Sequence, residues 1–194
     1  PNSEPPPTSR SPLGPPRRAT WQTELMTEHD DAAASHRPDA TEGLASVAPG
    51  LEELAQQLNV KSVLVMRSEA DSMVVAGTGG EATQHYTVGA AGKKAGDDQD
   101  RTPLYCERVV NSDEALFVRD SRTDAIFAGN EDETEFGLHN YLGLPVHDAE
   151  GNVVGTVCAL DDTARDYSAE EQQKLAQLRS DVEALVKENP DALR

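Results

Sequence analysis

"NYLGLPVHDAEGNVVGTVCALDD", residues 140–162, sets two aliphatic runs on either side of the acidic turn "DAEG" and closes on a cysteine and two aspartates. Such runs around a short polar turn predict a β-hairpin. Because side chains alternate along a strand, Leu142, Leu144 and Val146 share one side with Val153, Gly155 and Val157. These aliphatics suit a face covered by helices. Tyr141, Gly143 and Pro145 point the other way with Val154, Thr156 and Cys158, and a ring, a hydroxyl and a thiol together suit a pocket wall. A slip of one residue in register exchanges the two faces.

Downstream, "DYSAEEQQKLAQLRSDVEALVKEN" predicts a helix. Ser168 and Glu171 form an S-x-x-E capping box, Leu175, Leu178, Val182 and Leu185 give an apolar stripe, and Pro190 lies just past its end. Upstream, Leu44, Val47, Leu51, Leu54 and Leu58 recur at helical spacing, with a bend or restart at Pro49-Gly50. "KSVLVMR" and "SMVVAGT" read as a first hairpin, Tyr86 as part of a strand, and "GAAGKKAG" as a loop whose glycine spacing is wrong for a phosphate loop. "TPLYCERVV" predicts a short helix, "ALFVRD" a strand, and "SRTDAIFAGNEDETEFG" a polar loop with one helical turn. Helix, antiparallel strands, short helices, more strands, helix: the order is that of an α+β fold.

Composition excludes several function classes. A formal net charge of −18 over 194 residues argues against nucleic acid and against an anionic membrane surface, because phosphate must be met by clustered Lys and Arg. One Trp, three Phe and four Tyr leave few rings on which a haem or bilin would stack. No apolar run approaches the roughly 20 residues of a membrane span, and the start lacks a signal-peptide core. Two distant cysteines fit a reducing compartment. The chain is therefore expected to be cytoplasmic.

Seven of the twelve prolines lie in the first sixteen residues, too polar a stretch to fold. Residues 1–37 are expected to be a disordered tail, 38–190 the single domain, and 191–194 a short C-terminal tail.

"LYCERVV", "LFVRDSRTDAIFAGN" and the opening hairpin resemble, in order and spacing, signatures of GAF domains, in particular the branch found in bacterial sensor kinases and cyclic-diguanylate enzymes. The matching positions are Cys106; Val118 and Asp120; Asp124, Phe127 and Asn130; Tyr141, Gly143 and Pro145; and Gly155, Thr156, Cys158 and Asp161. The resemblance implies a six-stranded antiparallel sheet with the first and last helices on one face and a loop-covered small-molecule pocket on the other. Tyr105, Cys106, Phe127, Tyr141, Gly143, Thr156 and Cys158 are then the expected ligand-binding residues. Asp120, Asp124, Asn130 and Asp161 are expected to order loops and strand ends.

The resemblance implies sensing by a stand-alone domain, through an unidentified small molecule or a signalling protein partner, and no reaction or resident cofactor. The lysine of the cyclic-nucleotide signature is missing from "NEDETEF", and a bilin site would need more aromatics. The competing reading is a thiol reductase of the free methionine sulfoxide reductase type, or a redox sensor. Either would use Cys106 and Cys158, which are otherwise two small buried hydrophobes. His85, His139 and His147 have no metal spacing, and His29 and His36 lie in the tail. Leu44, Leu51 and Leu58 on the first helix and Leu175, Val182 and Leu185 on the last give stripes longer than one sheet face is expected to cover, so the surplus is expected to pair across a two-fold axis in a homodimer.

Overall fold

The computed structural model describes residues 44–194, so the proline-rich tail expected over 1–37 lies outside the described residues. Helix α1 (Ala48–Leu58) starts with Pro49 in its first turn and stops at Asn59, whose φ of 51° is left-handed. Asparagine tolerates that conformation. Strands β1 (Ser62–Ser68) and β2 (Ser72–Gly79) form the first hairpin, followed by a 3₁₀ turn and the edge strand β3 (Ala91–Lys93). Helix α2 (Tyr105–Ser112), strand β4 (Leu116–Val118) and helix α3 (Glu131–Phe136) precede the second hairpin, β5 (Asn140–His147) and β6 (Val153–Asp161). Helix α4 (Ala169–Glu188) closes the fold. Its capping box is made as the sequence predicts, with Ser168 Oγ accepting from Glu171 N and Glu171 Oε2 from Ser168 N.

The sheet is six-stranded and antiparallel, in the order β3-β2-β1-β6-β5-β4. Its central strands have two working faces. On one, Val63, Val65, Leu142, Val146, Val157 and Ala159 pack with Leu51, Leu54 and Leu58 of α1 and with Leu175, Leu178 and Val182 of α4. On the other, Leu64, Met66, Tyr141, Cys158 and Leu160 pack with Tyr105, Cys106 and Val109 of α2. The α+β architecture and the two faces of the second hairpin follow the sequence pattern.

Four expectations change. Val154 packs with the helix-covered face, because a bulge between Val146 and His147 shifts the register there. The strand near Tyr86 is loop, and the glycine-rich run read as loop supplies β3, whose Ala91, Gly92 and Lys93 complete the edge of β2. Residues 191–194 are no tail: the chain turns after Asn189 and buries Ala192 and Leu193. Finally, Leu44, Leu51, Leu58, Leu175 and Val182 are all buried within the chain and Leu185 partly so. The stripe residues named for the dimer are therefore core residues of the single chain.

The glycines ending β2 have a packing cause. A Cβ on Gly79 would stand 2.4 Å from the backbone of Leu51 and Glu52, so the strand runs directly beneath α1. Gly80, at φ +100°, turns its N–H to Glu52 Oε2 at 2.7 Å.

Candidate functional site

The face opposite the terminal helices divides into a filled half and a hollow half. Over β4, β5 and β6 it is filled with rings. Tyr105 from α2 stacks on Tyr141 from β5, with centroids 4.7 Å apart, and meets Phe127 at 5.2 Å. The Tyr141 ring lies back across Gly143, where a Cβ would fall 2.0 Å from the Tyr141 hydroxyl. Asn130 caps α3 by accepting from Glu133 N, and its Nδ2 donates to Tyr105 Oη at 2.9 Å and to Phe127 O at 2.8 Å. One amide thus fixes the helix start and two of the three rings.

Cys106 and Cys158 meet beside this cluster. Their sulfurs are 3.8 Å apart, and Cys106 Sγ lies 3.4 Å from Tyr141 Oη. Burial pushes the Cys158 thiol well up, whereas the hydrogen bond with Cys158 lowers Cys106.

The hollow half lies over β1 and β2. A cavity of about 80 Å³ has Leu64, Met66, Met73, Val75 and Leu160 as its floor. Leu104 and Cys106 form one wall, and the segment 85–92 with Glu131, Asp132 and Phe136 of α3 forms the roof. Asp132 and Phe136 are four residues apart, so one face of α3 delivers both. Tyr86 Oη donates to Asp132 Oδ1 at 2.5 Å. Desolvation raises the Asp132 carboxyl to about 6 and, with the Asp132 charge, carries the Tyr86 phenol far above its ordinary value. Phe136 stands edge-on to Tyr86 at 5.2 Å and stacks on His85 at 4.8 Å. The loop over the cavity is tied down by Glu107, a buried carboxylate of α2 that accepts from Ala95 N, Gly96 N and Leu104 N.

Of the seven residues expected to bind a ligand, Cys106 alone lines this cavity. Tyr105, Phe127, Tyr141, Gly143, Thr156 and Cys158 stand outside it, because three large rings fill the space that the face pattern left for a pocket. The cavity residues Met66, Met73, Tyr86, Asp132 and Phe136 were not singled out as ligand contacts, although the spacing of Asp132 and Phe136 on a short acidic helix was available as a signal.

The four loop-ordering candidates sit as follows. Asp120 accepts from Arg122 N and makes a two-point pair with the Arg122 guanidinium, whose hydrogen bond pulls the carboxyl down to about 2. Asp124 Oδ1 accepts from Ile126 N and Phe127 N, fixing the turn that delivers Phe127. Asn130 acts as described above. Asp161 ends β6, where its carbonyl accepts from His139 N and burial raises its carboxyl.

A residue without an assigned role in the sequence proves to be a hub. Buried Asn140 donates to the carbonyls of Val118, Arg119 and Arg165 and accepts from Tyr167 Oη at 2.8 Å. It joins β4, β5 and the approach to α4.

Among the described residues, no helix is long and apolar enough to cross a membrane, and no three His, Cys, Asp or Glu side chains gather to hold a metal ion.

The model of the GAF domain family matches residues 45–184. No curated protein sequence matches the chain. Among solved structures, the fold is similar to the red/green cyanobacteriochrome NpR6012g4 in its red-absorbing state, with 17% identity, a TM-score of 0.60, and coverage of 78% of this chain and 98% of that one. It is similar to the type II free methionine-R-sulfoxide reductase of Thermoplasma acidophilum, with 15% identity, a TM-score of 0.57 and coverage of 76% and 95%. It is also similar to the GAF domain of an Acinetobacter phosphoenolpyruvate-protein phosphotransferase, with 12% identity, a TM-score of 0.55 and coverage of 78% and 84%. At these identities the likeness is one of fold.

Proposed function

The chain belongs to the GAF domain family, and on that premise we propose that it is a non-catalytic sensory module whose small-molecule ligand occupies the cavity over β1 and β2. The observation that carries this reading is the cavity itself: an aliphatic floor, a carboxylate–phenol pair in the roof, and a position directly across the sheet from the terminal helices. Leu64 and Met66 on β1 and Leu160 on β6 touch the cavity space, while their neighbours Val63, Val65 and Ala159 bear on the core shared with α1 and α4. A ligand that shifts either strand by a few tenths of an ångström repacks both faces at once, since close-packed interiors transmit strain. That gives ligand occupancy a route to the helices.

Native mass spectrometry of freshly purified protein tests the reading, together with the same measurement on Ala90→Phe, which fills the cavity from its rim. The expected result is a retained small molecule in the parent and none in the variant at unchanged melting temperature. A ligand retained equally by both places it elsewhere and overturns the assignment.

A second reading rests on a separate observation, the 3.8 Å between the Cys106 and Cys158 sulfurs. A hydroperoxide would oxidise the pair to a disulfide, the two thiol hydrogens leaving with the peroxide oxygens as water and an alcohol, and the bond would clamp α2 to β6. Turnover of free methionine sulfoxide with a thiol reductant would convert this reading into that of an enzyme.

A further inference from the structure

The walls of the cavity narrow the chemistry of its ligand, given the reading of that space as a binding site. Five floor side chains are aliphatic or thioether. The polar groups around them are Glu131, Asp132, the Tyr86 phenol, the His85 ring and the Cys106 thiol, and among the described residues no Lys or Arg lines the space. The Arg101 guanidinium is directed to Glu131 at 3.4 Å. Asp132 has no cationic partner among the described residues and takes one hydrogen bond, from Tyr86. A carboxylate set into apolar surroundings without a counter-charge is costly, and its acid is pushed up to about 6 for that reason. Tyr86, which bonds it, belongs to a row of three rings in the cavity lining, with Phe136 between Tyr86 and His85. Aromatic faces beside a carboxylate attract a soft organic cation. An anion would meet two carboxylates, Glu131 and Asp132, and no Lys or Arg among the described residues. A hard cation such as Mg²⁺ or Ca²⁺ would want a shell of oxygen ligands, whereas the floor is hydrocarbon and thioether, and no three His, Cys, Asp or Glu side chains gather among the described residues to hold a metal ion.

We propose that the cavity binds a small organic cation, an amine or methylated ammonium on a short aliphatic body, with its charge against Asp132 and the rings of Tyr86 and Phe136 and its body over Met66, Met73 and Leu160. Size sets a limit. At roughly 10–15 Å³ per water-sized group, a cavity of about 80 Å³ holds about five to eight non-hydrogen atoms.

The test compares three probes of one shape on the full chain by isothermal titration calorimetry: choline, its neutral isostere 3,3-dimethylbutan-1-ol, and the anion 3,3-dimethylbutanoate. Choline should bind the parent at least about tenfold more tightly than the alcohol, and the carboxylate should not bind. Asp132→Asn, which retains an acceptor for Tyr86, should erase the preference. Tyr86→Phe, which retains the carboxylate, should keep it. If the alcohol or the carboxylate matches choline on the parent, or if Asp132→Asn leaves the preference intact, the cation assignment is wrong, while the cavity remains a ligand site. Failure of all three probes to bind also overturns the assignment, and the cavity reading then stands or falls on the mass spectrometry of the parent and Ala90→Phe.

Discussion

Gly143→Ala is the sharpest test of how the ring cluster is built. The new Cβ would lie 2.0 Å from the Tyr141 hydroxyl and 2.4 Å from Cζ, where van der Waals contact requires more than 3 Å. The tyrosine cannot yield cheaply. It is fully buried, stacked on Tyr105 at 4.7 Å, and its hydroxyl meets Cys106 Sγ at 3.4 Å. Overpacking of this kind costs about 1–3 kcal/mol, and the disturbed ring pair adds about 0.5–1.5 kcal/mol, so the sum is about 1.5–4.5 kcal/mol. Urea denaturation of the parent and variant reads it directly. The clash explanation makes a second demand. In a Tyr141→Leu background the same substitution should cost under about 1 kcal/mol, because the obstructing ring is gone and neighbouring sites couple. Equal costs in the two backgrounds, or a loss below about 0.5 kcal/mol in the parent, would refute the reasoning.

Three further outcomes are expected. Asp132 holds its proton to about pH 6 in the folded chain but releases it near its ordinary value of 3.8 when unfolded, so stability contributed by the protonated folded group is lost as pH rises through that window. Asp132→Asn should accordingly gain on the parent between pH 4 and 7 in denaturant titrations, and a pH-independent difference would count against the assignment of that carboxyl. Asn140→Ala removes the partner of three carbonyls and a buried phenol and should cost about 2–4 kcal/mol; a loss below about 1 kcal/mol would show that these groups find other partners. Hydrogen peroxide should convert Cys106 and Cys158 to a disulfide with loss of two hydrogens and release of two waters. Both thiols would then resist alkylation in denaturant, whereas full alkylation of treated protein would rule the pair inert.

Legibility in the sequence followed the range of the interactions. The second hairpin and α4 were readable because alternation, turn and capping box are all local, and the local signals agree with the tertiary packing. Strand β3 was not readable. "AGK" carries no apolar pattern, and those residues are extended because the open edge of β2 takes them up. Tyr86 looked strand-like by composition, yet what fixes it is a hydrogen bond to a residue 46 positions away. Within "NEDETEF" six polar or acidic residues precede one ring, and composition does not say which acid turns inward. Helical phase does, since Asp132 shares a face with Phe136.

The position of the cavity has a more general cause. Alternation along β5 and β6 correctly assigned Tyr141, Gly143 and Cys158 to the face opposite the terminal helices, but a face is only a direction, and whether it is hollow depends on the volume of what points there. Here Gly143 is small because Tyr141 folds over it, so the gap left by the missing side chain is occupied by a neighbour two residues back on the same strand. Tyr105 and Phe127 arrive from other elements to complete the filling, and both are held by Asn130. The hollow is then displaced toward β1 and β2, where the floor residues Leu64, Met66, Met73 and Val75 are aliphatic or thioether and carry no ring that could reach across the space. In this chain the Y-x-G pattern of β5 thus marks the filled end of the face, and the hollow lies on the strands beside it.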